Sequence, residues 1–288
     1  MILLDGKKLS LLKYESIALE VQAFENQYKR KPKLSVIIVG EDPASHVYVN
    51  NKRLACEKVG MLSEIIRLDQ NTSETILKSK IKELNEDSSV DGFLVQMPLP
   101  VHLKDFEPSD LISPIKDVDG LSALNMGQMV TSKAYHEPCT PEGVMELLKH
   151  YEISLAGKTA VVVGRSQTVG WPMAYMLTRA HCTVTVCHSQ TPNISEWTKN
   201  ADIVVVAAGR PRLLGPKDFK TGAVIVDVGI HKNDSFGGKG LVGDVDTASL
   251  DPKNVKAITP VPGGVGPMTV AQLIEHTLRA AKMRESQK

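Results

Sequence analysis

Residues Thr159-Ala-Val-Val-Val-Gly164-Arg-Ser-Gln-Thr-Val-Gly170 spell out a strand, a turn and the start of a helix. Their opening run is short, apolar and rich in β-branched residues, and a glycine ends it, which predicts a buried strand. A helix is predicted next, over Val169 to Ala180. Between the two lies a turn whose glycines let the backbone approach a phosphate, while the helix N-terminus offers unpaired N–H groups and a positive dipole end. The turn therefore reads as a nucleotide site rather than a merely structural βα connection. It is not the full G-x-G-x-x-G fingerprint, because Arg165-Ser166 stands where the middle glycine would be. It also lacks the Gly-Lys-Ser/Thr of an ATPase phosphate loop, which argues against ATP hydrolysis.

Strands follow at Cys182 to Cys187, Ile203 to Ala207 and Val224 to Val228. The first of these ends in Cys187-His188-Ser189, with no carboxylate to hold the ribose hydroxyls of NAD. Arg165 and a serine hydroxyl would instead attract a 2′-phosphate, so the local chemistry favours NADP over NAD. The plainer alternative is that Arg165 is a solvated loop charge.

Toward the N-terminus the same rhythm appears. Leu34-Ser-Val-Ile-Ile-Val-Gly40 predicts a strand, and Asp42-Pro43 supplies a cap and a first-turn proline for a helix to about Lys58. Glu64 to Leu68 predicts a second strand, Ser73 caps a further helix, and Gly92-Phe-Leu-Val95 is a third strand. A proline-bearing, loop-rich stretch from Pro98 to Pro141 ends at the domain boundary. Helical spacing at Val270, Leu273, Ile274, Leu278 and Ala281 predicts a final helix, Thr269 to Met283, that crosses back to the first domain. The fold class is α/β, two domains with parallel sheets, because strands alternate with helices throughout.

With 288 residues, 42% of them hydrophobic, the chain has enough apolar surface for about two cores. Lysine plus arginine number 34 against 33 acidic residues, a net charge of +1, so neither a nucleic-acid nor an anionic-membrane partner is expected. No apolar run approaches the ~18 residues of a membrane span. The N-terminus meets Asp5, Lys7 and Lys8 too early for a signal-peptide core, so a cytoplasmic location is expected. Four cysteines are too few for a disulfide scaffold. Cys182 and Cys187 would lie on opposite faces of a strand, about 16 Å apart at ~3.3 Å per residue, so no metal site is expected there.

Chemistry-bearing residues also occur outside the nucleotide turn. Tyr48 and Lys52 are four apart and share a helical face that follows a strand's C-terminal end, where α/β proteins bind ligands. Surface Tyr–Lys pairs at this spacing are common, and the pair alone does not prove a site. Gln96 sits just past another strand, Lys116-Asp-Val-Asp-Gly120 places two acids in a loop, and Pro260-Val-Pro-Gly-Gly-Val-Gly-Pro267 is a rigid glycine-bearing turn before a helix.

Together these segments resemble the bifunctional methylenetetrahydrofolate dehydrogenase/methenyltetrahydrofolate cyclohydrolase family. The matching segments are Val39-Gly-Glu-Asp-Pro-Ala-Ser45, Tyr48-Val-Asn-Asn-Lys52, Gly92-Phe-Leu-Val-Gln-Met-Pro-Leu-Pro100, Lys116-Asp-Val-Asp-Gly-Leu121 and Pro138-Cys-Thr-Pro141. Val161-Val-Val-Gly-Arg-Ser166, Val226-Asp-Val-Gly-Ile230 and Thr259-Pro-Val-Pro-Gly-Gly-Val-Gly-Pro-Met-Thr269 continue the series, in order over nearly the whole chain.

The resemblance implies oxidation of 5,10-methylenetetrahydrofolate with NADP⁺, then hydrolysis of the methenyl product to 10-formyltetrahydrofolate, in one-carbon metabolism and purine biosynthesis. It implies a folate-binding domain of residues 1–139 plus 268–288 and a Rossmann-type NADP-binding domain of residues 140–267, the substrates meeting in a cleft between them. Lys52, Tyr48, Gln96 and Asp119 would form the catalytic set: Lys52 essential, Tyr48 flanking the folate, Gln96 tuning Lys52 and Asp119 anchoring the pterin. Val95, Met97, Pro262, Gly263, Gly264, Val265 and Gly266 would complete the substrate site. Gly164, Arg165, Ser166, Ser189, Ile230 and Thr269 would contact NADP, with Trp171 narrowing the cofactor groove. A homodimer is expected on the same ground. Rival readings are a dehydrogenase of a small hydroxy acid on the same plan and a non-catalytic NADP sensor; neither needs Tyr48, Lys52 and Gln96 together.

Overall fold

Capped helical segments and β-branched runs alternate along the computed structural model, which describes residues 1–233 and 240–287. In chain order the elements begin β1 (Ile2–Leu3), α1 (Gly6–Tyr28), β2 (Lys33–Val39), α2 (Pro43–Val59), β3 (Leu62–Leu68), α3 (Glu74–Glu86) and β4 (Gly92–Val95). They continue α4 (Ala123–Met129), α5 (Cys139–His150), β5 (Thr159–Val163), α6 (Gly170–Arg179), β6 (Thr183–Cys187) and α7 (Ile194–Thr198). The last are β7 (Ile203–Val206), β8 (Ala223–Asp227), β9 (His231–Lys232), β10 (Leu241–Val242), β11 (Val255–Ile258) and α8 (Val265–Ser286).

The chain forms two compact units, Leu11–Cys139 with Val270–Lys288 and Met1–Ser10 with Thr140–Thr269. In the former, parallel strands run in the order β3-β2-β4. Asp42 begins α2 by accepting the Ser45 N–H at 2.7 Å, Pro43 occupies the first turn, and Gly60 closes the helix in the left-handed conformation at φ 81°. The core packs Tyr14, Ile17, Val21 and Phe24 of α1 with strand residues such as Leu34 and Val36, and with Leu273, Ile274 and Leu278 of α8. The C-terminal helix thus ends in this unit. Four helices lie in segments that sequence reading passes over or takes as loop: α1, whose buried stripe is narrow, α4, which Ser122 caps by accepting the Asn125 N–H, α5 and the five-residue α7.

The other unit holds a six-stranded parallel sheet in the order β1-β11-β8-β7-β5-β6. Its central strands are buried along their whole length, as in β7, where Ile203, Val204, Val205 and Val206 are at most 1% exposed. From β5 the chain steps to β6 on one side and then returns to β7 on the other, so the connections diverge at β5, which is where α/β sheets bind ligands. The first ten residues group with this unit, unlike the expected division. Ile2 and Leu3 pair with Ala257 and Ile258, and the Leu4 N–H donates to the Ile258 carbonyl at 2.8 Å. A two-residue strand leaves no period to read.

Candidate active site and cofactor pocket

Lys52 lies on α2, after β2, and Gln96 follows β4, the strand beside β2. Adjacent parallel strands bring the two together: the Lys52 Nζ donates to the Gln96 Oε1 at 2.9 Å. The same amide donates its Nε2 to the Met97 carbonyl at 2.7 Å, so its oxygen, not its NH₂, faces the lysine. Burial holds the Lys52 amine below the ordinary lysine value, with the negative charge of Asp119 and the Cys139 thiol pulling the other way. Tyr48, one turn earlier on α2, is 42% exposed. Val95 is buried at the end of β4 and Met97 beyond it is exposed.

The loop after β4 separates its two acids by role. Asp117 is spent on its own loop, accepting N–H groups of Gly120, Leu121 and Ser122 and the Asn125 amide at 2.8 to 3.3 Å. Lys116 is buried and donates to the carbonyls of Leu84, Asn85 and Asp87, closing the C-terminus of α3. Asp119 is partly exposed and stands in the electrostatic field of Lys52.

In the six-stranded unit a cavity of about 740 Å³ opens at the C-terminal ends of β5, β6 and β7. Gly164, at φ 131°, ends β5 against β7, where a Cβ would collide with the Ala207 carbonyl. Gly170 lets α6 start against Gly164 and Arg165, which a side chain would strike. Ser166 accepts the N–H groups of Val169 and Gly170 at 3.2 and 3.4 Å, and so ties the turn to the first residue of α6. Gly164, Arg165, Ser166 and Ser189 line the cavity; Ile230, Thr269 and Trp171 do not. Ile230 instead packs toward Gly266, Thr269 is hydrogen-bonded to Thr140 at 3.0 Å, and Trp171 is half-exposed on α6.

Sequence reading missed two further cations of the cavity, Arg210 and Lys217, both exposed. Its lining carboxylate, Asp218, is buried and accepts the Gly215 N–H at 2.7 Å. Three cations facing one committed acid favour a polyanionic ligand. The rim after β7 is set from below: Ala208 and Gly209 donate to the buried Asp244, which also pairs with His231 at 2.7 Å. Asp227, at the end of β8, accepts three backbone N–H groups, and burial pushes its carboxyl up to about 6.

The turn Pro262-Gly-Gly-Val-Gly266 lies in the six-stranded unit and opens α8. The Gly264 N–H donates to the Pro260 carbonyl and the Lys7 N–H to the Gly263 carbonyl, both at 2.8 Å.

Two family models match the chain. The tetrahydrofolate dehydrogenase/cyclohydrolase catalytic domain covers residues 4–119, and the NAD(P)-binding domain of the same name covers residues 138–285. The bifunctional protein FolD of Bdellovibrio bacteriovorus is 53% identical over 283 residues, 98% of this chain and 97% of that protein. Among solved structures, the Campylobacter jejuni bifunctional FolD methylenetetrahydrofolate dehydrogenase/cyclohydrolase superposes with a TM-score of 0.93 at 46% identity, over 99% of both chains. The Trypanosoma brucei N5,N10-methylenetetrahydrofolate dehydrogenase-cyclohydrolase, solved with NADP cofactor and an inhibitor, gives a TM-score of 0.93 at 36% identity, over 100% of this chain and 99% of that one.

Proposed function

The chain belongs to the tetrahydrofolate dehydrogenase/cyclohydrolase family, and from that premise we propose that Lys52 is the base of its hydrolytic step. The enzyme oxidises 5,10-methylenetetrahydrofolate to the methenyl form with NADP⁺ and hydrolyses that product to 10-formyltetrahydrofolate, in one-carbon metabolism. NADP⁺, when bound, accepts the hydride from the methylene carbon.

The observation that carries the assignment is the Lys52–Gln96 hydrogen bond beside the charge of Asp119. A lysine must be neutral to take a proton, and burial favours the neutral amine, as would the cationic methenyl carbon. Gln96 engages one N–H of that amine and leaves the nitrogen lone pair for the attacking water's proton. Tyr48, one turn earlier, offers an exposed ring for the folate to lie against. Asp119 is suited to accept hydrogen bonds from the pterin's amino and ring N–H groups. Val95 and Met97, on either side of Gln96, are proposed as further folate contacts. The departing hydride carries its electrons away, so oxidation itself requires no base.

The cavity of the six-stranded unit fits the phosphates of NADP through Arg165, Arg210 and Lys217, with Ser166 and Ser189 as hydrogen-bonding partners. Gly164 would let the dinucleotide approach the backbone closely; Ile230 and Thr269, outside the cavity, are proposed for the nicotinamide end. We also propose a homodimer in the cytoplasm, supplying purine biosynthesis and without a nucleic-acid partner, the last supported by the net charge of +1. No helix among the described residues is long and apolar enough to cross a membrane.

The test assays wild type and Lys52→Met on both steps. Lys52→Met should retain folded protein and lose cyclohydrolase turnover; full hydrolysis of methenyltetrahydrofolate by that variant removes Lys52 from the mechanism. In parallel, Arg165→Ala should raise KM for NADP⁺ by about tenfold and leave KM for NAD⁺ nearly unchanged, in keeping with the loss of one charged hydrogen-bonding group. Equal effects on the two would show that Arg165 does not read the 2′-phosphate.

A further inference from the structure

Beneath the Asp119 loop lie three buried groups that the mechanism above leaves unused: His136 at 0%, Cys139 at 2% and His276 at 0% exposure. His276 comes from α8, and its ring lies 4.9 Å, centroid to centroid, from that of His136. Its Nδ1 is 2.9 Å from the Val118 carbonyl oxygen. A carbonyl can only accept, so the ring carries its proton on Nδ1 there. The Cys139 Sγ donates to the same oxygen at 3.2 Å, and its backbone N–H donates to the Asp119 carbonyl, also at 3.2 Å. On the far side of the loop the Gly120 N–H is held by the Asp117 carbonyl at 3.1 Å and by its carboxylate at 3.2 Å. The peptide that precedes Asp119 is therefore anchored from the core by one imidazole and one thiol.

We propose that His276 is a positioning residue of the folate site: by fixing the Val118–Asp119 peptide it sets where the Asp119 carboxylate stands against Lys52 and the bound pterin. The inference rests on the reading of Lys52 and Asp119 given above. Turning a peptide displaces the next side chain, and the interaction of two charges falls with their separation. A residue on the last helix thus holds the Val118 carbonyl, 158 positions earlier, and through it the Asp119 side chain that follows. The groups that bear on the outcome are Cys139 and His136 around His276, Asp119 and Cys139 around Lys52, and on α2 itself Tyr48 and Cys56, one turn either side of Lys52.

The experiment uses the full-length enzyme. His276→Leu removes the donor; His276→Asn places an amide N–H close to where Nδ1 stood; His276→Gln keeps polarity but moves the N–H to the Nε2 position. KM for methylenetetrahydrofolate, KM for NADP⁺, the pH profile of cyclohydrolase kcat and the melting temperature are measured for each. His276→Leu, or His276→Gln should the leucine variant not fold, should raise the folate KM several-fold and leave the NADP⁺ KM unchanged. Loss of Asp119's charge near the amine lowers the Lys52 pKa, so the acid limb of the cyclohydrolase profile should move down by about half a pH unit. His276→Asn should lie within twofold of wild type throughout. Unmoved KM and acid limb in the donor-less variants, or equal losses in the asparagine and leucine variants, overturn the proposal. Absence of both activities in the wild-type enzyme would instead strike the functional reading itself.

Discussion

Lys52 illustrates how one residue's charge state is set by few neighbours. Burial drives the amine toward neutrality, and Asp119 restores part of the ammonium. The sign of a substitution at Asp119 follows directly. In Asp119→Asn the stabilising negative charge is gone, so the Lys52 pKa falls further below the ordinary ~10.4. More of the lysine is then neutral at any given pH, and the acid limb of cyclohydrolase kcat should move to lower pH even as the folate KM rises. An acid limb that stays in place or moves upward would show that Asp119 does not face the amine in the working enzyme. Asp117, two positions earlier, gives no such lever, since four N–H donors already occupy its carboxylate.

At the scale of elements, legibility tracks how local the cause is. Helix α2 could be placed from Asp42, Pro43 and the following periodicity because its caps act within one turn. Helix α1 is hidden because exposed Leu11, Leu12 and Leu19 blur the stripe of Tyr14, Ile17, Val21 and Phe24. Arg210 and Lys217 join the Arg165 pocket only because β7 pairs with β5, a fact of strand order that no local pattern carries. Lys116 was legible as a charge in a motif but not as a cap. Its three carbonyl partners belong to the end of α3 and the residue after it, groups a helix leaves unsatisfied. Lys116→Met keeps the apolar stem and removes all three donors, so it should destabilise the protein by about 3 kcal/mol. In urea this would lower the midpoint without altering the slope, whereas a wild-type midpoint would mean that water satisfies those carbonyls equally well.

At the scale of the molecule, the three-stranded unit is assembled from residues that are far apart in sequence, Leu11–Cys139 and Val270–Lys288, and it needs something to close it. Asp91, fully buried just before β4, accepts two hydrogen bonds from Arg30 beyond the end of α1, at 2.7 and 2.8 Å, and one from Arg284 in the last turn of α8, at 2.7 Å. Arg30 also donates to Glu285 at 2.7 Å, and Arg284 to the carbonyls of Val90 and Ser88. Two arginines and two carboxylates thus join the C-terminal ends of α1 and α8 to the base of the sheet, with no net charge among them. These acids hold the Arg30 guanidinium above its ordinary value, Asp91 foremost. Removing Asp91 alone leaves two cations with only the Glu285 carboxylate, which contacts Arg30, and strands Arg284 in a largely dry site; by the behaviour of broken buried ion pairs this costs about 3–5 kcal/mol. Asp91→Ala should therefore accelerate amide exchange in β2 and β4, while β5 and β7, in the other unit, keep their protection, because opening is confined to the region whose contacts are lost. Exchange by mass spectrometry reads both sets of strands in one experiment. Wild-type protection in β2 and β4 of the variant would show that the apolar contacts of α1 and α8 close this unit unaided.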